Sequence, residues 1–330
     1  MKSILNQLFD HQKLTKEQAK EVLINISQDK YNTSQLAAFI SVYLMRNISV
    51  DELAGFRDAL LDLCIKVDFD GLPIIDLCGT GGDSKNTFNI STLSSFVVAG
   101  AGYHVAKHGN YGVSSISGSS NVLEYFGFKF TNDTDVLRKQ MDAANIAFMH
   151  APLFHPALKS VGPIRKELGV KTFFNMLGPL VNPAQPQHQS VGVFSIKLAR
   201  LYQFLHEDSL KKYAIIHAVD GYDEVSLTGP VKLITNQSEQ LVDSTYFGLS
   251  EYQKEDIFGG DTIKEAAEIF INILENQGTQ AQNDVVIANA ALAIQCFDQS
   301  KDIKDCVAEA KASLLNGKAK RSFQNLLTSN

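Results

Sequence analysis

The chain has 330 residues, 20% of them charged, and a formal net charge of −6, which excludes a broadly basic nucleic-acid-binding surface and leaves only a local patch open. Apolar residues make up 45%, ordinary for a globular protein, and the length suits one large domain with a small one. No run approaches the roughly 18 apolar residues of a membrane span, and the N-terminal MKSILNQLFDHQK lacks the apolar core and cleavage site of a secretory signal.

Cys64, Cys78, Cys296 and Cys306 show no C-x-x-C pairing, so they read as reduced, buried thiols and point to a cytoplasmic protein. Residues 1 to about 66 read as helix. Thr15 with Gln18 and Ser49 with Glu52 have capping-box spacing. After Ser49, Leu53, Phe56, Leu60 and Leu63 recur every three or four residues and make one apolar stripe. The stretch from Ser34 to Met45 is apolar on more than one face. Its cover is either a partner subunit or the rest of a bundle in which it is the central helix.

The apolar run Leu72 to Cys78 predicts a buried strand that breaks into Gly79-Thr80-Gly81-Gly82-Asp83. Ser91 or Thr92 then caps an apolar helix running towards Ala99, and a second strand, Tyr103 to Ala106, ends in Lys107-His108-Gly109-Asn110. Both polar loops fall at carboxyl ends of strands, where open α/β sheets bind ligands. Glycines let several backbone N–H groups converge on an anion, and a helix N-terminus adds more. No Lys-Ser/Thr follows the glycines and no G-x-G-x-x-G spacing occurs, so this is neither a nucleotide-triphosphate loop nor a dinucleotide fingerprint.

Ser114 to Gly127 begins as a small-residue loop and becomes a helix, Asn121 to Phe126, with Ser119, Ser120 and Asn121 as capping residues. Thr134 to Ala144 reads as helix and Ile146 to Met149 as strand. Pro152 and Pro156 rule out a regular helix between His150 and His155, which read as loop histidines with local hydrogen bonds. Val161 to Pro186 is dense in proline and glycine. Then follow a strand (Val191 to Phe194), a helix (Leu198 to Leu210) and a strand (Tyr213 to Val219) that ends in Asp220-Gly221-Tyr222-Asp223-Glu224. Leu233 to Leu241 suggests a hairpin, and Thr262 to Glu275, Asp284 to Phe297 and Asp305 to Leu315 read as amphipathic helices covering a sheet.

Gly79-Thr80-Gly81-Gly82-Asp83, Asn89-Ile90-Ser91-Thr92, Lys107-His108-Gly109-Asn110, Ser114-Ser115 and Gly118-Ser119 together resemble the anthranilate phosphoribosyltransferases. The resemblance covers the chain in order. It implies a small helical domain plus a larger α/β domain with a central, mostly parallel sheet, the class III phosphoribosyltransferase or nucleoside phosphorylase-like fold. The expected division is 1–70 with 166–187 for the helical, dimerising domain and 71–165 with 188–330 for the α/β domain. The implied reaction moves the phosphoribosyl group of 5-phosphoribosyl 1-pyrophosphate to the amine of anthranilate, in tryptophan biosynthesis. Homodimerisation through the helical domain is implied, with no nucleic-acid or membrane partner.

The same resemblance implies that Gly79, Gly82, Asp83, Thr87, Asn89, Ile90, Ser91, Thr92, Lys107, His108, Gly109, Asn110, Ser114, Ser115 and Ser119 hold phosphoribosyl pyrophosphate. It places Gly79, Asn110 and Arg165 at anthranilate, where a guanidinium fork suits a planar carboxylate. It also implies two Mg²⁺ ions per subunit, with Ser91, Asp223 and Glu224 as ligands. The charge balance agrees: this substrate carries about five negative charges, and Lys107 with Lys85 is too little to offset them. The sequence departs from the family at Tyr111-Gly112, where Arg-Ala is common, and at Ser120-Asn121, where Ala-Asp is common. Two other readings of the fold are a pyrimidine nucleoside phosphorylase and a non-enzymatic nucleic-acid-binding relative.

Overall fold

Capping chemistry sets the N-terminal architecture. Helices α1 (Lys2–Phe9), α2 (Lys16–Ser27), α3 (Thr33–Met45) and α4 (Val50–Leu63) follow one another in the computed structural model, which describes residues 1–112, 116–207 and 209–329. Thr15 with Gln18 and Ser49 with Glu52 form reciprocal capping boxes, and Asn32 with Gln35 forms a third. The chain continues through β1 (Ile74–Gly79), α5 (Ile90–Gly100), β2 (His104–Gly109), α6 (Ser119–Tyr125), α7 (Thr134–Ala144) and β3 (Ile146–His150). Two short helices come next, α8 (Ala151–Phe154) and α9 (Gly162–Leu168). Then β4 (His188–Gly192), α10 (Ile196–Glu207), β5 (Lys212–Ala218), β6 (Val231–Thr235), β7 (Glu239–Val242) and α11 (Ser244–Phe247) lead to the helices α12 (Ile263–Leu274), α13 (Gln280–Phe297), α14 (Ile303–Leu315) and α15 (Lys318–Thr328).

The chain divides into two units: Met1–Val67 with Ala151–Pro183, and Asp68–His150 with the chain from Ala184 onward. Segment 151–165, expected with the α/β domain, therefore belongs to the helical unit. The reason is packing: the Ile65 N–H donates to the Phe154 carbonyl at 2.9 Å, the turn Pro156–Leu158 packs on α2 and α4, and α9 packs on α3. Further along, Phe173 stacks on Phe56 at 4.7 Å and meets Tyr43 at 4.9 Å and Phe39 at 6.1 Å, so the returning segment supplies part of the helical core. On α3, Leu36, Phe39, Ile40 and Tyr43 are buried, while Leu44 and Met45 remain 44% and 88% exposed.

The second unit carries a seven-stranded sheet of order β3-β2-β1-β4-β5-β6-β7. The first five strands are parallel and the last two antiparallel. Strand order reverses direction between β1 and β4, the switch point at which open sheets leave a crevice. Helix α13 is apolar on all sides and buried along most of its length, packed among α5, α14, β4 and β5. Among the described residues no helix is long and apolar enough to cross a membrane.

Several predicted boundaries shift, and between His150 and His155, expected to be irregular, His150 closes β3 and the four-residue helix α8 follows, with Pro152 in its first turn where no N–H is needed. β2 runs on through Gly109, because Lys107, His108 and Gly109 pair with Phe148, Met149 and His150 of β3. β4 lies at His188–Gly192 rather than 191–194, since its polar Gln189 and Ser190 pair in register with Asp76 and Leu77. Helix α5 starts at Ile90 with Asn89 as its N-cap, ahead of the predicted Ser91 or Thr92. Helix α15 has no counterpart in the sequence reading.

Candidate active site

Three of the central strands, β1, β2 and β4, end on glycine: Gly79, Gly109 and Gly192. Gly79 and Gly192 are register partners. A Cβ at Gly79 would lie 2.5 Å from Asp223 Oδ2, and one at Gly192 would lie 1.4 Å from the Asp223 carbonyl oxygen. Asp223 thus sits across the ends of β1 and β4 in space that only two glycines leave free. Gly192 carried no sequence motif; its signal was a glycine ending an otherwise packed strand.

The loop after β1 bends through Gly81 (φ 62), Gly82 (φ 77) and Ser84 (φ 61). A serine in the left-handed region is uncommon, and such strain collects at functional loops. The loop after β5 contains its own case, Leu227 at φ 55. The Gly81 N–H donates to Asp223 Oδ2 at 2.8 Å, and the Lys85 N–H to Asp83 Oδ1 at 3.0 Å. Thr80 N–H donates to the Gly192 carbonyl at 2.9 Å, while its buried hydroxyl has no partner among the described residues. Thr87 forms an antiparallel bridge with Phe258, pinning the loop's far end.

The carboxyls of Asp83 and Asp223 lie against each other, and each raises the cost of charging its neighbour. Burial, reinforced by the Asp83 charge, pushes Asp223 up to about 7. Burial also lifts Asp83, against the Lys85 N–H bond. Glu224 is half-buried by surface area yet lies deep among protein atoms. Burial and then the Asp223 charge raise it well above the usual range, while Lys107 and a hydrogen bond from the Ser91 backbone pull the other way. Asp220, by contrast, is held by the Thr228 hydroxyl at 2.6 Å and reads as a brace for its loop.

Among the described residues no group of three His, Cys, Asp or Glu encloses a metal ion. The donor set nevertheless fits Mg²⁺, which leans on one or two carboxylates and takes its remaining oxygens from phosphate and water. Asp223 and Glu224 supply the carboxylates, with Asp83 beside them.

Helix α5 begins without a side-chain cap, because Asn89 Nδ2 reaches instead to the Ser117 carbonyl at 3.0 Å. The backbone of Ile90, Ser91 and Thr92 forms the first turn beside the acid pair, with Thr92 buried and Ser91 half-buried. Lys107, predicted in a loop, is 2% exposed within β2 and donates to the Leu77 carbonyl at 2.6 Å. Burial lowers its pKa, opposed by the charges of Asp76, Cys78 and Glu224. His108 is buried, and its backbone N–H donates to Asp76 Oδ1 at 3.2 Å.

Asn110 is exposed at the end of β2, where its side chain accepts from the Tyr111 N–H at 2.8 Å. Its carbonyl accepts from Ser120 N–H at 3.1 Å and Ser119 Oγ at 3.3 Å. Asn121 Oδ1 accepts from the N–H groups of Gly112 and Gly118, at 2.9 and 3.0 Å. The position serves as an acceptor, which explains how Asn stands where Asp is common. Tyr111 meets His150 edge-on at 4.9 Å and donates to Glu124 at 3.2 Å, so a ring contact replaces the family's basic side chain. His150 bonds Ser120 Oγ through Nδ1 at 2.8 Å and stacks on Phe130 at 4.4 Å. Ser114 and Ser115 lie outside the described residues.

Arg165 belongs to the helical unit, on α9. Its guanidinium lies 5.3 Å from the Phe174 ring centroid and 3.5 Å from Asn175 Oδ1. Burial lowers its pKa, and among the described residues no carboxylate pairs with it. An enclosed arginine without an acid is an arrangement that a ligand carboxylate completes.

Residues 71–320 match the glycosyl transferase family a/b domain, and residues 2–64 match that family's helical bundle domain. The chain is 57% identical to an anthranilate phosphoribosyltransferase of Christiangramia forsetii, over 99% of this chain and 98% of that one. It is 52% identical to the one from Bacteroides thetaiotaomicron, over 100% and 99%. Among solved structures, the Thermus thermophilus anthranilate phosphoribosyltransferase superposes with a TM-score of 0.90 at 28% identity, covering 98% of both chains. The Saccharomyces cerevisiae enzyme, in complex with PRPP and Mg, gives 0.90 at 25% identity, covering 99% of this chain and 96% of that one. With both domains matched and half or more of the residues shared with full-length relatives, this chain belongs to the anthranilate phosphoribosyltransferases of the glycosyl transferase family.

Proposed function

We propose that this chain joins anthranilate to 5-phosphoribosyl 1-pyrophosphate with magnesium, releasing diphosphate and N-(5-phosphoribosyl)anthranilate for tryptophan biosynthesis. The observation that carries the reading is the Asp83, Asp223 and Glu224 group at the uncapped start of α5, beside the glycine-built end of β1. These are mutually repelling carboxyls placed where a polyanion would meet backbone N–H groups.

In this reading Asp223 and Glu224, with the Ser91 hydroxyl, hold two Mg²⁺ ions, whose chemistry when bound is to neutralise the diphosphate. Gly79, Gly82, Asp83, Thr87, Asn89 to Thr92, Lys107 to Asn110, Ser114, Ser115 and Ser119 form the phosphoribosyl pyrophosphate site. Backbone N–H groups of the β1–α5 loop and first helical turn donate to phosphate oxygens. Arg165 pairs with the anthranilate carboxylate, and Gly79 and Asn110 contact its ring. An aromatic amine is neutral at pH 7 and attacks C1 without a strong base. The residues therefore act by orientation and by supporting developing charge. Tyr111 takes no part in this assignment. The exposed Leu44 and Met45 of α3 support a homodimer formed through the helical unit, working in the cytoplasm.

The test is anthranilate fluorescence. A time-dependent loss that requires protein, phosphoribosyl pyrophosphate and Mg²⁺ together is expected. No loss from a folded protein would overturn the reading.

A further inference from the structure

Helix α13 carries one buried polar side chain aimed at the acid loop. Asn289 is 3% exposed among alanines, valines and isoleucines. Its Oδ1 accepts from the Val225 N–H at 3.0 Å, and its Nδ2 donates to the Val225 carbonyl at 2.9 Å and the Val285 carbonyl at 2.8 Å. One carboxamide thus grips both backbone groups of a single residue, using both its donors and its acceptor. Val225 is fully buried and directly follows Asp223-Glu224. The same helix is tied to α5 by Ser94, whose hydroxyl donates to the Val286 carbonyl at 3.1 Å. Glu224 in turn takes a hydrogen bond from the Ser91 backbone at the start of α5. Helix α13 therefore fixes both sides of the candidate metal site.

We infer that Asn289 is a positioning residue: by clamping Val225 it holds Asp223 and Glu224 at the spacing that lets them share a divalent cation with the substrate's diphosphate. The inference rests on the proposed function. Burial alone does not require this arrangement. A buried helix needs no polar residue to pack, and a lone carboxamide in an apolar stretch costs free energy unless its hydrogen bonds are made. What it acquires here is a fixed backbone one residue beyond the acids. Groups that orient ligating carboxylates contribute to metal affinity without touching the metal.

Calorimetric binding of phosphoribosyl pyrophosphate, with and without Mg²⁺ and without anthranilate, reads this directly. The wild-type chain gains affinity from Mg²⁺. Asn289→Ala should cut that gain about tenfold while leaving magnesium-free binding unchanged. Ser322→Ala is the structural control: it removes a buried hydrogen bond to the Ala144 carbonyl at 2.6 Å, remote from Val225, lowers Tm and keeps the wild-type gain. Asn289→Asp keeps the acceptor for the Val225 N–H and loses the donors; it serves if Asn289→Ala does not fold, and a reduced gain is expected again. A folded Asn289 variant with the full magnesium gain overturns the inference. A wild-type chain with no magnesium gain overturns the proposed function itself, so the two failures are distinguishable.

Discussion

Glu52 in the helical unit and Glu224 in the α/β unit are both enclosed carboxyls, and they end in opposite states. Glu52 is inaccessible to solvent, which raises its pKa, but hydrogen bonds from Arg46 and from the Leu14 and Ser49 N–H groups outweigh burial and hold it below its ordinary value. Arg46 binds both its oxygens, at 2.5 and 2.9 Å, and Tyr43 adds a hydroxyl at 3.3 Å. Glu224 is more accessible at its surface, yet its pKa stands well above normal, first because burial among protein atoms disfavours its charge and then because Asp223 repels it, with Lys107 only partly compensating. Burial pushes both up; only Glu52 has a cation and backbone N–H groups that outweigh it. A carboxyl evolved for packing carries its cation within the chain, whereas the acid pair of the α/β unit is left short of positive charge. Arg165 shows the converse, a cation with no acid among the described residues, in contrast to Arg46, whose two terminal nitrogens both bond Glu52.

The largest expected effect falls on the unpaired acids. Asp223→Asn with Glu224→Gln should lower turnover on the order of 10³-fold, with Tm unchanged or raised because repulsion is removed. The fluorescence assay and a thermal melt check both halves. Full wild-type activity in EDTA would remove the metal from the comparison.

Next is the paired acid. Glu52→Gln leaves Arg46 without its countercharge and should cost about 3 kcal/mol of stability, read from urea unfolding, with activity per folded molecule retained. Glu52 has a depressed folded pKa, so its stabilisation is present above the unfolded value and lost as pH falls through the folded one. Wild type and variant should therefore converge below pH 4.5. A gap that persists there would show that the carboxylate charge is not what stabilises.

The smallest effect concerns the cation without an acid. Arg165→Ala should raise the KM for anthranilate roughly 10- to 100-fold, the range of a charged hydrogen bond, and leave the KM for phosphoribosyl pyrophosphate unchanged. An unaltered anthranilate KM would make Arg165 a packing residue held by Phe174.

Much of the site was legible because its parts are local. The β1–α5 loop, the acid pair and Arg165 each lie within a short motif, and capping boxes act over three residues. The extent of β2 was not legible, since pairing with β3, not local polarity, keeps Lys107 to Gly109 extended. Nor was β4, whose Gln189 and Ser190 are polar yet buried, their backbone in register with Asp76 and Leu77 of β1. Asn289 left a faint trace, a carboxamide in an apolar helix, but its partner lies 64 positions away.

The sequence by itself determined the two-part architecture and the helices of the first unit, and it marked the glycine-rich loop proposed to bind an anion, because periodicity, caps and glycine-rich turns are properties of neighbouring residues. Only the tertiary structure decided that Asp223 fills the space left by Gly79 and Gly192, that Lys107 is buried, and that 151–165 belongs to the helical unit. Each depends on which distant backbone occupies a given volume, and close packing settles that only when the whole core is assembled.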